Sequence, residues 1–368
     1  AGIRIINDGV FNHVGDDSIY FDRYEKYPEI GAYEYWSKVW KTKAEHPGMT
    51  REEAEQRVIA SFTSRINPAT GRHYQYPDDF GFTTWFTIGE NMADNTRYSY
   101  DAWWGFDSLP AMDAKEPQPG DKDALEGVHE WNNIDYRNHV IGYDLSGKSE
   151  AEASAAMQNT ASQRWLWMGS SGWRLDVAPD VSAGTWQKFR EAVKSAAGRT
   201  DANGKPIDDP VILGEEWGVA THYLLGDQFD SVMNYRFREA VQNFIIGGGN
   251  GGNNAQAFHE ALERIREDYP EEAWKVMLNL VDSHDSIRSL TKLDYPSWEE
   301  EKLKIAPEAS DKALKQQALI AIFQMGYPGA PTIYYGDEVG VTGTKDPDSR
   351  RTFPWERIES SGGSYKAA

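Results

Sequence analysis

Short apolar runs, each closing on polar or acidic side chains, recur along this chain and restrict it to one broad architecture. They cover residues 3–6, 172–175, 211–213, 231–233, 276–281 and 331–334. Amphipathic stretches separate several of them. Residues 185–197 put Trp186, Phe189 and Val193 at helical spacing and stop at Gly198. Residues 312–325 read as a second such helix, ending at Gly326 with Pro328 just beyond. Strands alternating with helices mean an α/β fold around a parallel sheet.

The polar residues fall in one place relative to these runs. Asn7 to His13, Asp176, Glu215 with Glu216, Asn234, and His284 with Asp285 each lie at or just past the end of a strand. A TIM barrel gathers its chemistry at the carboxyl ends of its strands. A doubly wound sheet gathers ligands there too, but no glycine-rich phosphate fingerprint follows any strand. The Gly/Asn run at 247–254 has no nucleotide-loop pattern and reads as a flexible loop. The stretch from 14 to 171 is too long for a simple crossover. It is rich in Tyr, Trp, Asp and Pro and reads as a subdomain or elaborated loop over the active-site face. The domain reading is therefore 1–13, a strand and its catalytic-face end; 14–171, the insertion; and 172–368, the remaining barrel.

Charge narrows the partners. With 38 basic and 58 acidic residues the net charge is -20, which repels nucleic acid and anionic membrane. No stretch approaches the roughly 18 consecutive apolar residues of a membrane span. The chain has no cysteine, so disulfides, thiolate metal sites and cysteine nucleophiles are excluded. With 14 Trp and 19 Tyr, it has ample aromatic surface for the apolar face of a sugar ring. The chain opens at Ala1 without a signal peptide, so any export signal is expected upstream.

Four segments at strand ends carry chemistry: Asp8-Gly-Val-Phe-Asn12-His13, Gly172-Trp-Arg174-Leu-Asp176, Leu213-Gly-Glu215-Glu216-Trp217 and Asp282-Ser-His284-Asp285. Each alone is weak, since an Asp after a strand is most often a cap or loop residue. Together and in this order they are specific. Cleaving a glycosidic bond needs a proton for the leaving oxygen and support for an oxocarbenium-like carbon, and two carboxyl groups supply both.

With these segments the sequence closely resembles the α-amylase family, glycoside hydrolase family thirteen, and its neopullulanase and amylopullulanase branch in particular. Trp103-Trp104-Gly-Phe-Asp-Ser-Leu109-Pro110, Asp230-Ser-Val-Met-Asn234-Tyr235, Tyr335-Gly-Asp337-Glu338 and Asp346-Pro-Asp-Ser-Arg350-Arg351 are similar to segments of that branch. The resemblance implies a TIM (β/α)8 barrel that starts here at its third strand, with strands three to eight present. Six strands do not close an eight-stranded barrel, so the chain is expected to be part of a longer multidomain protein.

The resemblance also implies roles. Asp176 is the nucleophile of a retaining mechanism, and Arg174 keeps it ionised and oriented, as a cation beside a carboxylate does. Glu215 is the general acid/base, kept protonated by neighbouring carboxylates. Asp285 is the third carboxylate, and Asp8 supports the site. His13 and His284 donate to the cleaved sugar, Asp346 and Arg350 contact the next one, and Trp217, Asn234 and Tyr235 complete the substrate site. Glu215 and Glu216 point to opposite faces, because neighbouring strand residues alternate, and the family pattern selects Glu215. Asn12 matches a calcium-ligating position of many α-amylases, so structural calcium is the candidate metal; no organic cofactor is expected. One departure stands out: Pro179-Asp180 follows Val-Ala where the branch usually has Asn-Glu, which opens the question of bond and acceptor preference.

The expected substrates are starch, pullulan or maltooligosaccharides, cut at α-1,4 bonds, with α-1,6 bonds left open, outside the cell or at its surface, since a polymer does not enter cells. The alternatives are a transglycosylase, in which a sugar replaces water, and a non-catalytic glucan-binding relative. The intact Asp176, Glu215 and Asp285 argue against the latter.

Overall fold

The computed structural model describes residues 2–90, 98–112, 137–247, 254–297 and 303–360. They fall into two compact units, Ala1–Ile212 and Leu213–Ala368.

The first unit is built on a parallel strand pair. Strand β1 (Asn7–Gly9) lies beside β4 (Gly172–Leu175), with Asn7 opposite Trp173, Asp8 opposite Arg174 and Gly9 opposite Leu175. Gly9 makes this close approach workable. A Cβ there would sit 2.5 Å from the Phe11 ring and 2.8 Å from Trp173. Phe11 in turn packs edge-on against Trp173, Trp186 and Phe189, with ring centroids 5.7, 6.1 and 4.9 Å away. Trp186 and Phe189 come from helix α5 (Ala183–Lys194), whose first turn is capped by Ser182 accepting from the Thr185 amide. The 3.6-residue spacing seen in the sequence thus buries the expected face.

Between β1 and β4 the chain builds a core of its own. Helices α1 (Ala32–Glu45) and α2 (Arg51–Thr63) enclose a cluster that includes Tyr35, Val39, Val58, Phe62 and Phe80. Thr50 and Glu53 form a reciprocal capping box at the start of α2. A short antiparallel pair, β2 (Ile88–Gly89) and β3 (Ser99–Tyr100), follows. Helices α3 (Glu150–Gln158) and α4 (Ala161–Trp167) lead into β4.

Strand β5 (Val211–Gly214) carries the chain into the second unit. There β5 pairs in parallel with β6 (Ser231–Val232), Leu213 facing Ser231. Helices α6 (Tyr235–Gly247), α7 (Ala255–Asp268) and α8 (Glu271–Trp274) follow. Met233 bridges in parallel to Leu278 of β7 (Leu278–Leu280). After α9 (Ser289–Asp294) and α10 (Asp311–Gly326), β8 (Ala330–Thr332) pairs in parallel with β7. Asn279, fully buried on β7, ties these pieces together. It accepts from Asn234 at 2.9 Å and donates to the Pro328 carbonyl at 3.0 Å, and its own carbonyl accepts from Gln324 at 2.7 Å. A satisfied buried network of this kind specifies one register.

Several expectations need correction. The first strand is residues 7–9, not 3–6. The isoleucine run reaches back past the start of β4, so its contribution is the Ile5 carbonyl accepting from Ser171 at 2.7 Å, and Ile3, Ile5 and Ile6 are exposed. The 276–281 and 331–334 runs shrink to the short ladder between β7 and β8. Helix α5 ends at Lys194, ahead of Gly198. Gly326 lies inside α10, and Tyr327 ends it. That helix buries Ala313, Gln317, Ile320 and Gln324 and leaves Leu319, Ile322 and Met325 exposed. Its inward face is fixed partly by glutamine hydrogen bonds, which hydrophobic spacing does not report. Residues 248–253 of the Gly/Asn run lie outside the described residues.

Candidate active site

In the first unit the acidic strand end is built by period-two alternation. Arg174 and Asp176 are two residues apart and share a face, and Asp8 stands opposite Arg174 across the ladder. Arg174 donates to both oxygens of Asp8, at 2.9 and 3.2 Å, and to the Asp176 carboxylate. The Asp176 amide donates to the Gly9 carbonyl at 3.0 Å, so the end of β4 is pinned to β1. The next residue, Val177, is left-handed at φ 43° and ψ 48°. A β-branched residue there is a strained outlier, and it turns the chain away directly after Asp176.

His13 lies past the end of β1, buried, with its ring stacked on Trp103 at 4.9 Å and 17°. The Asn12 amide is 3.4 Å from its Nδ1. Burial lowers the His13 pKa below its ordinary 6.5, against the opposing pull of Asp176 and Asp180. A neutral imidazole keeps one N–H to donate. Trp103 is held from the other side, its indole N–H donating to Asp180 at 3.2 Å. Asp180 is the residue at which the sequence departs from the branch pattern. Its link to Trp103 and His13 was not apparent from that motif.

In the second unit Glu215 follows β5 and is 6% exposed. It accepts from the Trp217 indole at 3.0 Å. Glu216 is more open and accepts from the Gly218 amide at 2.6 Å. Trp217 stacks flat on Tyr235, centroids 3.8 Å apart and planes 8° apart. Tyr235 itself is buried, with its hydroxyl 3.1 Å from Ser283. Asn234 is buried as well, donating to Asn279 and accepting from the Phe237 amide at 3.0 Å. The polar ends of both residues thus have partners within the protein, and Tyr235 backs the Trp217 ring.

Asp285 lies between two partners. His284 Nε2 is 2.7 Å from one oxygen and Arg350 reaches the other at 3.4 Å, while Arg350 also pairs with Asp346 at 2.9 Å. Beneath this group sits Arg288, with no solvent exposure. It donates to the carbonyls of Ser349 and Tyr335 at 2.8 and 2.6 Å and to Asp337 at 3.2 Å. Its guanidinium lies 3.8 Å from the centre of the Tyr334 ring. Asp337 and Asp282 interact with each other, and burial raises both pKa values. Asp282 also accepts from the Ser289 amide at 2.6 Å. Arg288 and this carboxyl pair were not read as functional from sequence, although both acids fall in motifs that were.

The sequence offers Asn12 as a calcium ligand, and such an ion takes six to eight oxygen ligands from carboxylates, amide and backbone carbonyls and water. Among the described residues no three His, Asp or Glu side chains converge on one point, and the Asn12 amide is turned to His13.

Parallel strands alternating with helices, with acids, histidines and aromatic platforms at the strand ends, define a barrel-type catalytic domain. The comparisons agree. The family model described as alpha amylase, catalytic domain, matches residues 143–367. An amylopullulanase of Thermoanaerobacterium thermosulfurigenes is 38% identical, over 96% of this chain and 16% of its own length. Neopullulanase 2 of Thermoactinomyces vulgaris is 41% identical over 55% of this chain and 29% of its own. A solved cyclomaltodextrinase aligns over 97% of this chain and 42% of its own, at 26% identity and a TM-score of 0.57. The chain belongs to the α-amylase catalytic-domain family, and its fold is that family's TIM barrel. It spans only about a sixth of the amylopullulanase it matches, by the 16% share above.

Proposed function

We propose that this chain carries the catalytic centre of a retaining α-glucan hydrolase. The observation that carries the reading is the pinned anion: Asp176 leaves β4 with its carboxylate held by Arg174, which is itself anchored on Asp8. A fixed, ionised carboxylate is what attack on an anomeric carbon requires. In this reading Asp176 forms a covalent bond to that carbon as the leaving oxygen takes a proton from Glu215. Glu215 then takes a proton from water, whose oxygen displaces Asp176 and releases the sugar. Asp285 accepts hydrogen bonds from sugar hydroxyls, and His13 and His284 donate to them. Asp346 and Arg350 receive the next sugar, and the exposed face of Trp217 stacks on a sugar beside Glu215.

The relatives' names support an α-glucan substrate, with α-1,4 and α-1,6 bonds both in range. We read the six parallel strands as the third to eighth of the barrel, with 14–171 inserted after the third, and the chain as one part of a longer multidomain protein. A polymer substrate places the enzyme outside the cell or on its surface. The chemistry needs no organic cofactor.

The test is Asp176→Ala in the full-length protein, assayed on starch and pullulan. Turnover is expected to vanish. Retention of a tenth of the wild-type rate overturns the assignment.

A further inference from the structure

Trp104 is 83% exposed, and its backbone is left-handed at φ 51°. A bulky residue in that region is strained, and here the strain lifts an indole into water. Phe106 and Tyr24 are each 55% exposed and border one open cleft with Asp16, Arg23 and Asp107. The charged groups of the cleft are ordered before any ligand arrives: Arg23 pairs with Asp16 at 3.3 Å and the Tyr24 hydroxyl donates to Asp16 at 3.0 Å. The Trp104 ring also connects inward. Trp104 leans on Trp103 with centroids 5.7 Å apart, and Trp103 stacks on His13.

Flat aromatic faces beside fixed hydrogen-bonding groups suit a ligand that is apolar on one face and hydroxylated at its edge. A pyranose has that form. A polyanion does not suit a chain of net charge -20. We propose that Trp104, with Phe106 and Tyr24, is an outer α-glucan platform that engages sugars beyond those at Asp176 and so sets chain-length preference. The proposal rests on the hydrolase reading.

The experiment measures KM for maltotriose and maltohexaose in the full-length protein and in Trp104→Ala, with Phe106→Ala as a second variant. Removing one stacking face is expected to raise the ratio of the maltohexaose KM to the maltotriose KM about fivefold, with little change in the ratio of kcat values. An unchanged KM ratio in both variants overturns the platform. If the wild type hydrolyses neither sugar, the hydrolase reading falls, and the platform is then judged by binding. Maltohexaose quenching of tryptophan fluorescence that is lost in Trp104→Ala supports it. Equal quenching in both proteins, or none in the wild type, overturns it.

Discussion

Arg174 donates from one nitrogen, Nη1, to both carboxylate oxygens of Asp8, and the same nitrogen holds Asp176. Asp8 is thus the anchor that fixes the cation, and the cation fixes the acid. The register of β1 on β4 sets this up, because it places Asp8 opposite Arg174.

Arg174→Ala is therefore expected to lower kcat on maltooligosaccharides roughly a hundredfold, as loss of a preorganised charged partner does. Arg174→Lys should recover only part of that, since a point charge on a flexible stem holds two carboxylates less rigidly than a planar guanidinium. Steady-state kinetics of both variants check this. A lysine variant with wild-type kcat would show that the two-sided grip is unimportant.

Gly9 tests the packing beneath the site. Its φ is ordinary, so the constraint is space alone: a methyl group meets Phe11 at 2.5 Å and Trp173 at 2.8 Å. Both neighbours are buried ring carbons with little room to yield. Gly9→Ala is expected to destabilise the protein by about 1–3 kcal/mol, read as a lower denaturation midpoint with an unchanged slope.

Much of this arrangement was legible in the sequence, for physical reasons. An apolar run that stops on an acid marks where a strand leaves the core; Asp176 and Glu215 directly follow their strands, and the run through β7 stops on Asp282, three residues before Asp285. The face of α5 was legible because Trp186, Phe189 and Val193 repeat at helical spacing while Gln187 and Glu191 between them are exposed. Hydrophobicity failed where pairing decides the structure. Ile3, Ile5 and Ile6 look like a buried strand, yet the ladder forms directly after them, through Asn7, Asp8 and Gly9. It also failed where burial is polar. Asn234, Asn279 and Gln324 form a network whose partners lie about 45 residues apart, and no local pattern links them. The Trp103–Asp180 bond spans 77 residues and was hidden for the same reason.

The carboxyl pair of Asp282 and Asp337 makes stability depend on pH. Burial raises both acids above their ordinary 3.8, and Asp337 well above it, despite the opposing charge of Arg288 and, for Asp282, of Arg238. A raised folded value means that the native state binds more protons than the unfolded chain between the two values. Stability from this pair therefore falls as pH rises from about 4 toward the folded value. Asp337→Asn stays neutral, can donate to Asp282 and can still accept from Arg288. Thermal melts from pH 4 to pH 8 should show a shallower loss of Tm with rising pH in the variant than in the wild type. Parallel curves would mean that the pair does not hold a shared proton.

His13 shifts in the opposite direction. Its pKa lies below 6.5 because burial strips water from the charged imidazole, and Asp176 and Asp180 only partly restore it. A lowered folded value means that the unfolded chain binds the proton first. This contribution to stability is present above about pH 6.5 and is lost as pH falls through the folded value. NMR titration of the imidazole should give a midpoint below 6.5. Asp180→Asn removes one of the two anions that pull the midpoint upward, so it should move the midpoint further down. The Trp103 indole keeps an amide oxygen to bond to, so the stacked ring can stay over His13 and the shift can be read as charge alone. A midpoint that rises in Asp180→Asn would contradict the electrostatic account, because it would mean that loss of the ion had opened the histidine to water.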